Sequence, residues 1–256
     1  MSVDLETQVQ RQFGAAAANY AVSGVHSGGA NLDEIVTRAA LRGRERVLDV
    51  GCGAGHTAFA LAGGAAEVIA LDLTEQMLAT AAGIARDRGI TNVWFKRGRA
   101  EELPFSDGSF DVVTSRLCAH HYADPVAATR EAARVLRRGG QYLLVDSVSS
   151  EVPVQDTYLN AIEVLRDPSH VRNYRLSEWR AMFEAAGLDV EVGGRWTFRL
   201  EFDSWLARIG TKPELATGLR ALMDSAPTEV LEALAIAPET GHDWSIPVAL
   251  VAGRRR

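Results

Sequence analysis

The chain has 256 residues, 47% of them hydrophobic and 23% charged, with a formal net charge of −6. This balance fits a globular protein large enough for one α/β domain with insertions, or for a domain plus a small lid. The negative charge disfavours nucleic acid as a partner, and the two cysteines, Cys52 and Cys118, have neither disulfide-framework nor metal-ligand spacing. No segment approaches the ~18 apolar residues of a membrane span. The first residues lack the basic-then-apolar order of a signal peptide, so a cytoplasmic protein is expected.

In chain order, residues 4 to about 20 predict an amphipathic helix carrying Val9 and Phe13, followed by a glycine-rich polar loop with Tyr20 and His26. A helix from about Asn31 to Leu41 leads into a buried strand, Val47 to Val50, which contains Asp49. Gly51, Gly53 and Gly55 then alternate with Cys52 and Ala54, and a helix opens at His56 and stops at Gly63-Gly64. A second strand, Val68 to Leu71, ends at Asp72, 21 residues after Gly51. An ionised carboxylate there can accept from both hydroxyls of a ribose. The competing role, capping the next helix, falls more naturally to Thr74.

Leu73 and Met77 lie beside Asp72, at the start of a helix from Glu75 to Arg88. A third strand, Val93 to Lys96, leads to Gly98-Arg99-Ala100-Glu101-Glu102-Leu103-Pro104-Phe105, and a fourth, Asp111 to Ser115, to Arg116, His120 and His121. Asp124 and Pro125 predict the start of a helix ending at Gly139-Gly140, before a fifth strand, Tyr142 to Asp146. Further on, helices are expected over 154–165, 177–186 (with Ser177 as N-cap), 201–209 and within 213–235. Strands are expected over 190–200 and from Ile246, and Arg254 to Arg256 read as a solvated tail.

The ligand follows from Asp49. A carboxylate two residues before the first glycine would repel a pyrophosphate and attract an ammonium or sulfonium group. The string Asp-x-Gly-x-Gly-x-Gly resembles motif I of class I S-adenosylmethionine (AdoMet) methyltransferases. Residues 98–105 resemble the Gly-Asp-Ala-Glu-x-Leu-Pro-Phe segment of their ubiquinone/menaquinone C-methyltransferase-like, or type 11, subgroup. The resemblance implies an α/β, Rossmann-like, doubly wound seven-stranded sheet with an antiparallel last strand and a helical lid. It divides the chain into an N-terminal cap (1–40), an AdoMet core (41–150), a lid and acceptor region with strand six (151–245), and the last strand and tail (246–256).

By the same resemblance, Asp49, Gly51, Cys52 and Gly53 hold the methionyl end of AdoMet, Asp72 the ribose, Leu73 and Met77 the adenine face, and Ala100 and Glu101 the adenine edge. Ser115 and Arg116 line the floor under the sulfonium, with Arg116 reaching the acceptor, and the N-terminal helix and the loop after it close over the cofactor, with Tyr20 and His26 as the candidate contacts. The chain departs from the pattern at Arg99, where the subgroup carries an acidic acceptor for the adenine amino group.

Methyl transfer to a small organic acceptor, releasing S-adenosyl-L-homocysteine (AdoHcy), is the expected reaction, in specialised metabolism or quinone-type synthesis. His120 and His121 stand where a general base belongs, with His120 favoured, although a structural role competes. Adjacent histidines do not converge on one ion, so no metal is expected. The segment Arg166 to Arg172 either binds an acidic acceptor through His170 and Arg172 or fastens the lid through Asp167 to an arginine.

Two other classes stay open: an AdoMet-binding protein that does not methylate, and an NAD-dependent oxidoreductase, which Asp49 and the glycine spacing disfavour. A nucleic-acid or protein acceptor is disfavoured by the charge and by the lack of an Asn-Pro-Pro-Tyr-like string. A monomer or homodimer is expected.

Overall fold

The computed structural model describes residues 4–21 and 28–256, without the side chains of Ala16 and residues 18–21. Seven strands form one sheet in the order β3-β2-β1-β4-β5-β7-β6. The strands are β1 (Arg46–Val50), β2 (Glu67–Asp72), β3 (Val93–Arg97), β4 (Phe110–Arg116), β5 (Leu136–Ser147), β6 (Leu188–Leu200) and β7 (Trp244–Arg255). β1 to β5 run parallel, and β7 inserts antiparallel between β5 and β6. The order reverses at β1 and β4, so the carboxyl ends of these neighbours open a crevice.

Alternation along the strands sorts side chains onto two faces. Leu48, Val50, Tyr142 and Leu144 pack on one face with α5 (Pro125–Val135) and α7 (Leu176–Ala185). Val47, Val68, Leu143 and Val145 pack on the other with α2 (Ala30–Ala39), α3 (His56–Ala62) and α4 (Glu75–Asp87). A third apolar cluster centres on Trp205 and Trp244. It joins α6 (Pro153–Arg166), α8 (Phe202–Ile209), α9 (Pro213–Asp224) and α10 (Thr228–Ala233) to the far ends of β6 and β7. Helix α1 (Leu5–Ala21) packs against α4 and α8, across the crevice.

Three expectations are corrected. Helix α5 ends at Val135, four residues before the predicted glycine stop, because Leu136 already pairs with Phe110. Arg137 to Gly140 then bulge out before Gln141 rejoins β4 opposite Val112. Arg254 to Arg256 are not a solvated tail: Arg254 donates to the carbonyl of Gly139 (2.8 Å), Arg255 to that of Arg134 (2.7 Å), and Arg256 pairs with Asp189 (2.7 Å). Ser177 lies inside α7, bonded to Glu151, and the N-cap is Arg175, whose backbone N–H donates to Glu178 (2.8 Å).

Candidate functional site

The glycine loop after β1 folds back on β2. Gly51 and Gly53 have φ of 69° and 52°, a left-handed region that disfavours side chains. The N–H groups of Gly51 and Cys52 both donate to the carbonyl of Leu71, at 2.8 and 3.0 Å. Gly53 N–H donates to Asp72 Oδ2 (2.8 Å), and Asp72 Oδ1 accepts from Thr74 N–H (2.8 Å). Asp72 thus ties the glycine loop to the start of α4, and Thr74 itself makes no side-chain cap. Burial raises the pKa of Asp72 against the pull of those two N–H groups.

Asp49 lies one level deeper. In register with Thr114 on β4, it accepts the Thr114 hydroxyl at Oδ1 (2.8 Å), and only 1% of its surface is exposed. Oδ2 is buried without a hydrogen-bond partner among the described residues. Burial pushes its pKa up to about 7, against the pull of Thr114 and the Arg116 guanidinium.

A cleft with about 1100 Å³ of open space joins these parts at the carboxyl ends of β1, β2 and β4. Its walls include Gly51, Cys52, Gly53, Asp72, Leu73, Met77, Ala100, Glu101, Arg116 and His121. Leu5, Glu6, Val9 and Phe13 of α1 also line it, each four residues from the next but for Glu6, so one face of that helix forms a wall. Asp49, Ser115, His120, His170 and Arg172 do not reach the cleft surface. His26 and the Tyr20 side chain lie outside the described residues.

Arg99 bridges to α1: its Nη1 is 3.2 Å from Glu6 Oε2, and its Nε is 3.8 Å from Glu101 Oε2. Glu101 Oε1 accepts from the N–H of Ala123 (2.9 Å). Arg116 Nε donates to Asn31 (2.7 Å) and Nη2 to the Gly28 carbonyl (3.2 Å), so it ties β4 to the segment that begins α2. Ser115 is fully buried and holds Tyr122 (2.9 Å) and Cys118 (3.1 Å), which do line the cleft.

The two histidines differ. His120 is held by Asp146 at the end of β5, through Nδ1 (2.7 Å) and through its backbone N–H (2.9 Å). A carboxylate only accepts, so that nitrogen carries a proton. Burial disfavours the charged ring, but Asp146 outweighs it and the His120 pKa is raised. His121 faces the cleft, edge-on to Phe13 with ring centroids 4.8 Å apart. Its Nδ1 lies 3.0 Å from the Ser169 carbonyl, another pure acceptor, which assigns the proton to Nδ1 and the lone pair to Nε2. Burial and the charge on His120 hold the His121 ring neutral, well below the usual imidazole range.

His170 and Arg172 sit behind this pair. His170 Nε2 is 3.3 Å from Asn160 Oδ1, and burial with the neighbouring cations pushes its pKa down to about 2. Arg172 pairs with Asp156 (2.8 Å), which also binds Arg175 (2.7 Å). Asp167 accepts from Ser169 instead of an arginine. Sequence reasoning missed Cys118, Tyr122 and Asp146, although the first two stand four residues apart in the segment that carries His120 and His121. No group of three or more metal-ligating side chains is assembled among the described residues, and none of the described helices is long and apolar enough to cross a membrane.

Comparison with known proteins gives this architecture a family. A model described as a methyltransferase domain matches residues 41–187. The chain is 42% identical over 218 residues to the uncharacterized methyltransferase YcgJ of Bacillus subtilis, covering 84% of this chain and 86% of that one. The crystal structure of YcgJ superposes with a TM-score of 0.86 at 39% identity, covering 88% and 98% of the two chains. The ubiquinone/menaquinone biosynthesis C-methyltransferase UbiE of Rhizobium meliloti is 38% identical over 125 residues, 46% of this chain and 48% of that one. With seven strands in this order, a glycine loop over buried Asp49 and these matches, the chain belongs to the class I AdoMet-dependent methyltransferases.

Proposed function

We propose that the cleft binds AdoMet and that the chain methylates a small organic acceptor whose proton is taken by His121. The supporting observation is that one cleft gathers the glycine loop, Asp72 and a neutral imidazole whose open nitrogen is Nε2. Two features fit the cofactor. Asp49 keeps a buried oxygen without a hydrogen-bond partner among the described residues, under a loop that an ammonium group would reach. At Gly53 a Cβ would meet nothing within 4 Å, which leaves room for a ligand against the backbone.

AdoMet, when bound, supplies an electrophilic methyl group. Gly51, Cys52, Gly53 and Asp49 would hold its methionyl end, Asp72 the ribose, Leu73 and Met77 the adenine face, and Ala100 and Glu101 the adenine edge. Arg99 serves as the bridge to α1 and needs no part in adenine recognition. On the acceptor side, Phe13, Cys118 and Tyr122 offer an apolar, aromatic surface. His121 takes the acceptor proton at Nε2, and His120, held by Asp146, stays behind it as a fixed charge. Holding nucleophile and methyl in line contributes roughly 7–11 kcal/mol in such reactions, so most of the work is positioning.

Calorimetry with AdoMet, AdoHcy and NADH, followed by methyl-labelled AdoMet with phenols, thiols, amines and quinone precursors, tests this reading. Quinone precursors belong in the panel because UbiE is named for that biosynthesis. Binding of AdoMet and AdoHcy but not NADH is expected, with label entering one acceptor class. His121→Gln should lower kcat about 100-fold or more while AdoHcy affinity stays within about threefold. Full turnover in that variant removes the base. Cofactor binding with no label in any acceptor would favour a non-methylating use of the same cleft.

A further inference from the structure

We propose that Asp167 and Ser169, in the strap between α6 and α7, are positioning residues that fix the His121 imidazole with Nδ1 protonated and Nε2 open. The inference rests on the reading of His121 as the base. The strap is anchored to the turn that carries the histidines: the N–H groups of Val171 and Arg172 donate to the His120 carbonyl, at 2.9 and 3.2 Å. His170 N–H closes the strap on the Asp167 carbonyl (2.9 Å), and Asn173 N–H fastens its end to Asn160 (2.7 Å). The Ser169 carbonyl is therefore a fixed acceptor at 3.0 Å from His121 Nδ1.

Asp167 divides its two oxygens. Oδ1 accepts from Ser169 N–H (2.9 Å) and from the Ser169 hydroxyl (2.6 Å). Oδ2 lies 3.9 Å from His121 Nε2, too far for a hydrogen bond; its charge favours a positive ring and opposes an open Nε2, so the tautomer is set by the Ser169 carbonyl that Asp167 holds in place. Asp167 is 2% exposed, so water screens that attraction poorly.

Two further imidazoles oppose that charge. The His120 ring, paired with Asp146, is 4.2 Å from His121, and the His170 ring is 6.3 Å away. Phe13 covers the ring edge, and Glu163 and Arg166 are the charged groups behind His120 and His170. Burial and the His120 charge keep His121 neutral at rest, ready to accept. In the proton transfer the acceptor X–H bond breaks, its electron pair stays on X, and the proton arrives at Nε2. Asp167 and the Ser169 carbonyl then stabilise the imidazolium that forms. This is the base-and-orienter arrangement general to histidine catalysis, here built by a segment 48 residues away in sequence.

The test is nitrogen NMR of histidine-labelled protein, with His121 assigned by its loss in His121→Gln. Neutral His121 with the proton on Nδ1 is expected at pH 7. His120→Gln should raise its titration midpoint into an accessible range, and adding Asp167→Asn should lower it again by about one pH unit. Asparagine keeps an oxygen for Ser169, so the turn survives while the charge goes. If the doubly substituted protein does not fold, Ser169→Ala in the His120→Gln background serves instead. It releases Asp167 Oδ1 from one donor and should raise the midpoint. A proton on Nε2 in the natural protein, or a midpoint indifferent to these substitutions, overturns the proposal. Failure of the natural protein to bind AdoHcy would overturn the cofactor reading alone and leave the tautomer result standing.

Discussion

If Asp49 serves the cofactor as proposed, recognition and stability conflict at this residue. Its carboxyl is buried with one oxygen lacking a hydrogen bond among the described residues, and its pKa is raised from 3.8 to about 7. Between those two values the folded chain binds more protons than the unfolded one, so this group lowers stability as pH rises through the window. Asp49→Asn keeps an oxygen for the Thr114 hydroxyl and removes the buried charge. The ligand-free variant should be more stable than the natural protein at pH 8, by roughly 1–2 kcal/mol, and the gain should vanish near pH 4. AdoHcy affinity should fall about tenfold or more, because the ammonium loses its carboxylate. Thermal unfolding at the two pH values and calorimetry check both halves. Asp49 and the glycine loop were readable in sequence because a carboxylate before alternating glycines has few other uses. The role of Arg99 was not, because its partner Glu6 lies on α1, far away in the chain.

At the scale of elements, local signals predicted where most helices and strands lie, and the exceptions have identifiable causes. Gly139-Gly140 looked like a helix stop, but the end of α5 is set by the pairing of Leu136 with Phe110, a contact between distant residues. The glycines instead serve the bulge. A Cβ on Gly140 would stand 2.9 Å from the carbonyl oxygens of both Arg137 and Asp111, and neither backbone can yield easily. Gly140→Ala should cost roughly 1–3 kcal/mol by denaturant unfolding. Gly63→Ala, where φ is −65° and nothing lies within 4 Å, should change stability by less than about 0.5 kcal/mol. The apolar stripe of α1 was also visible in Val9 and Phe13. Its place beside the cleft follows the family resemblance, in which the N-terminal helix closes over the cofactor, and not the helix pattern, which alone does not say which surface it covers. The strap stood out by composition, yet its work depends on His121, which only the fold brings alongside.

The whole molecule joins its outer apolar cluster to the central core through β6 and β7, with Leu188 of β6 in the core and Leu200 in the outer cluster. The outer part of β7 carries Trp244 and Ile246 in the cluster with Trp205, while Ala249 and Val251, farther along the same strand, pack in the central core. The strap leaves α6, in the outer cluster, and ends on the turn that holds His121. The outer helices can therefore loosen while the glycine loop, Asp72 and Asp49 stay packed on β1, β2 and β4. Trp205 is 2% exposed, meets Trp244 at 5.0 Å between ring centroids, and lies under the Arg166 guanidinium at 4.9 Å. Trp205→Ala should cost about 3–5 kcal/mol, concentrated in that cluster. Hydrogen exchange should then accelerate in α6 and α8 to α10 far more than in β1, β2 and β4, with AdoHcy affinity within about threefold of the natural protein's. Because α6 feeds the strap, the His121 tautomer should become mixed in the same variant. Uniform acceleration across all seven strands would show instead that the two bodies open together, and the acceptor side could not then move independently of the cofactor side.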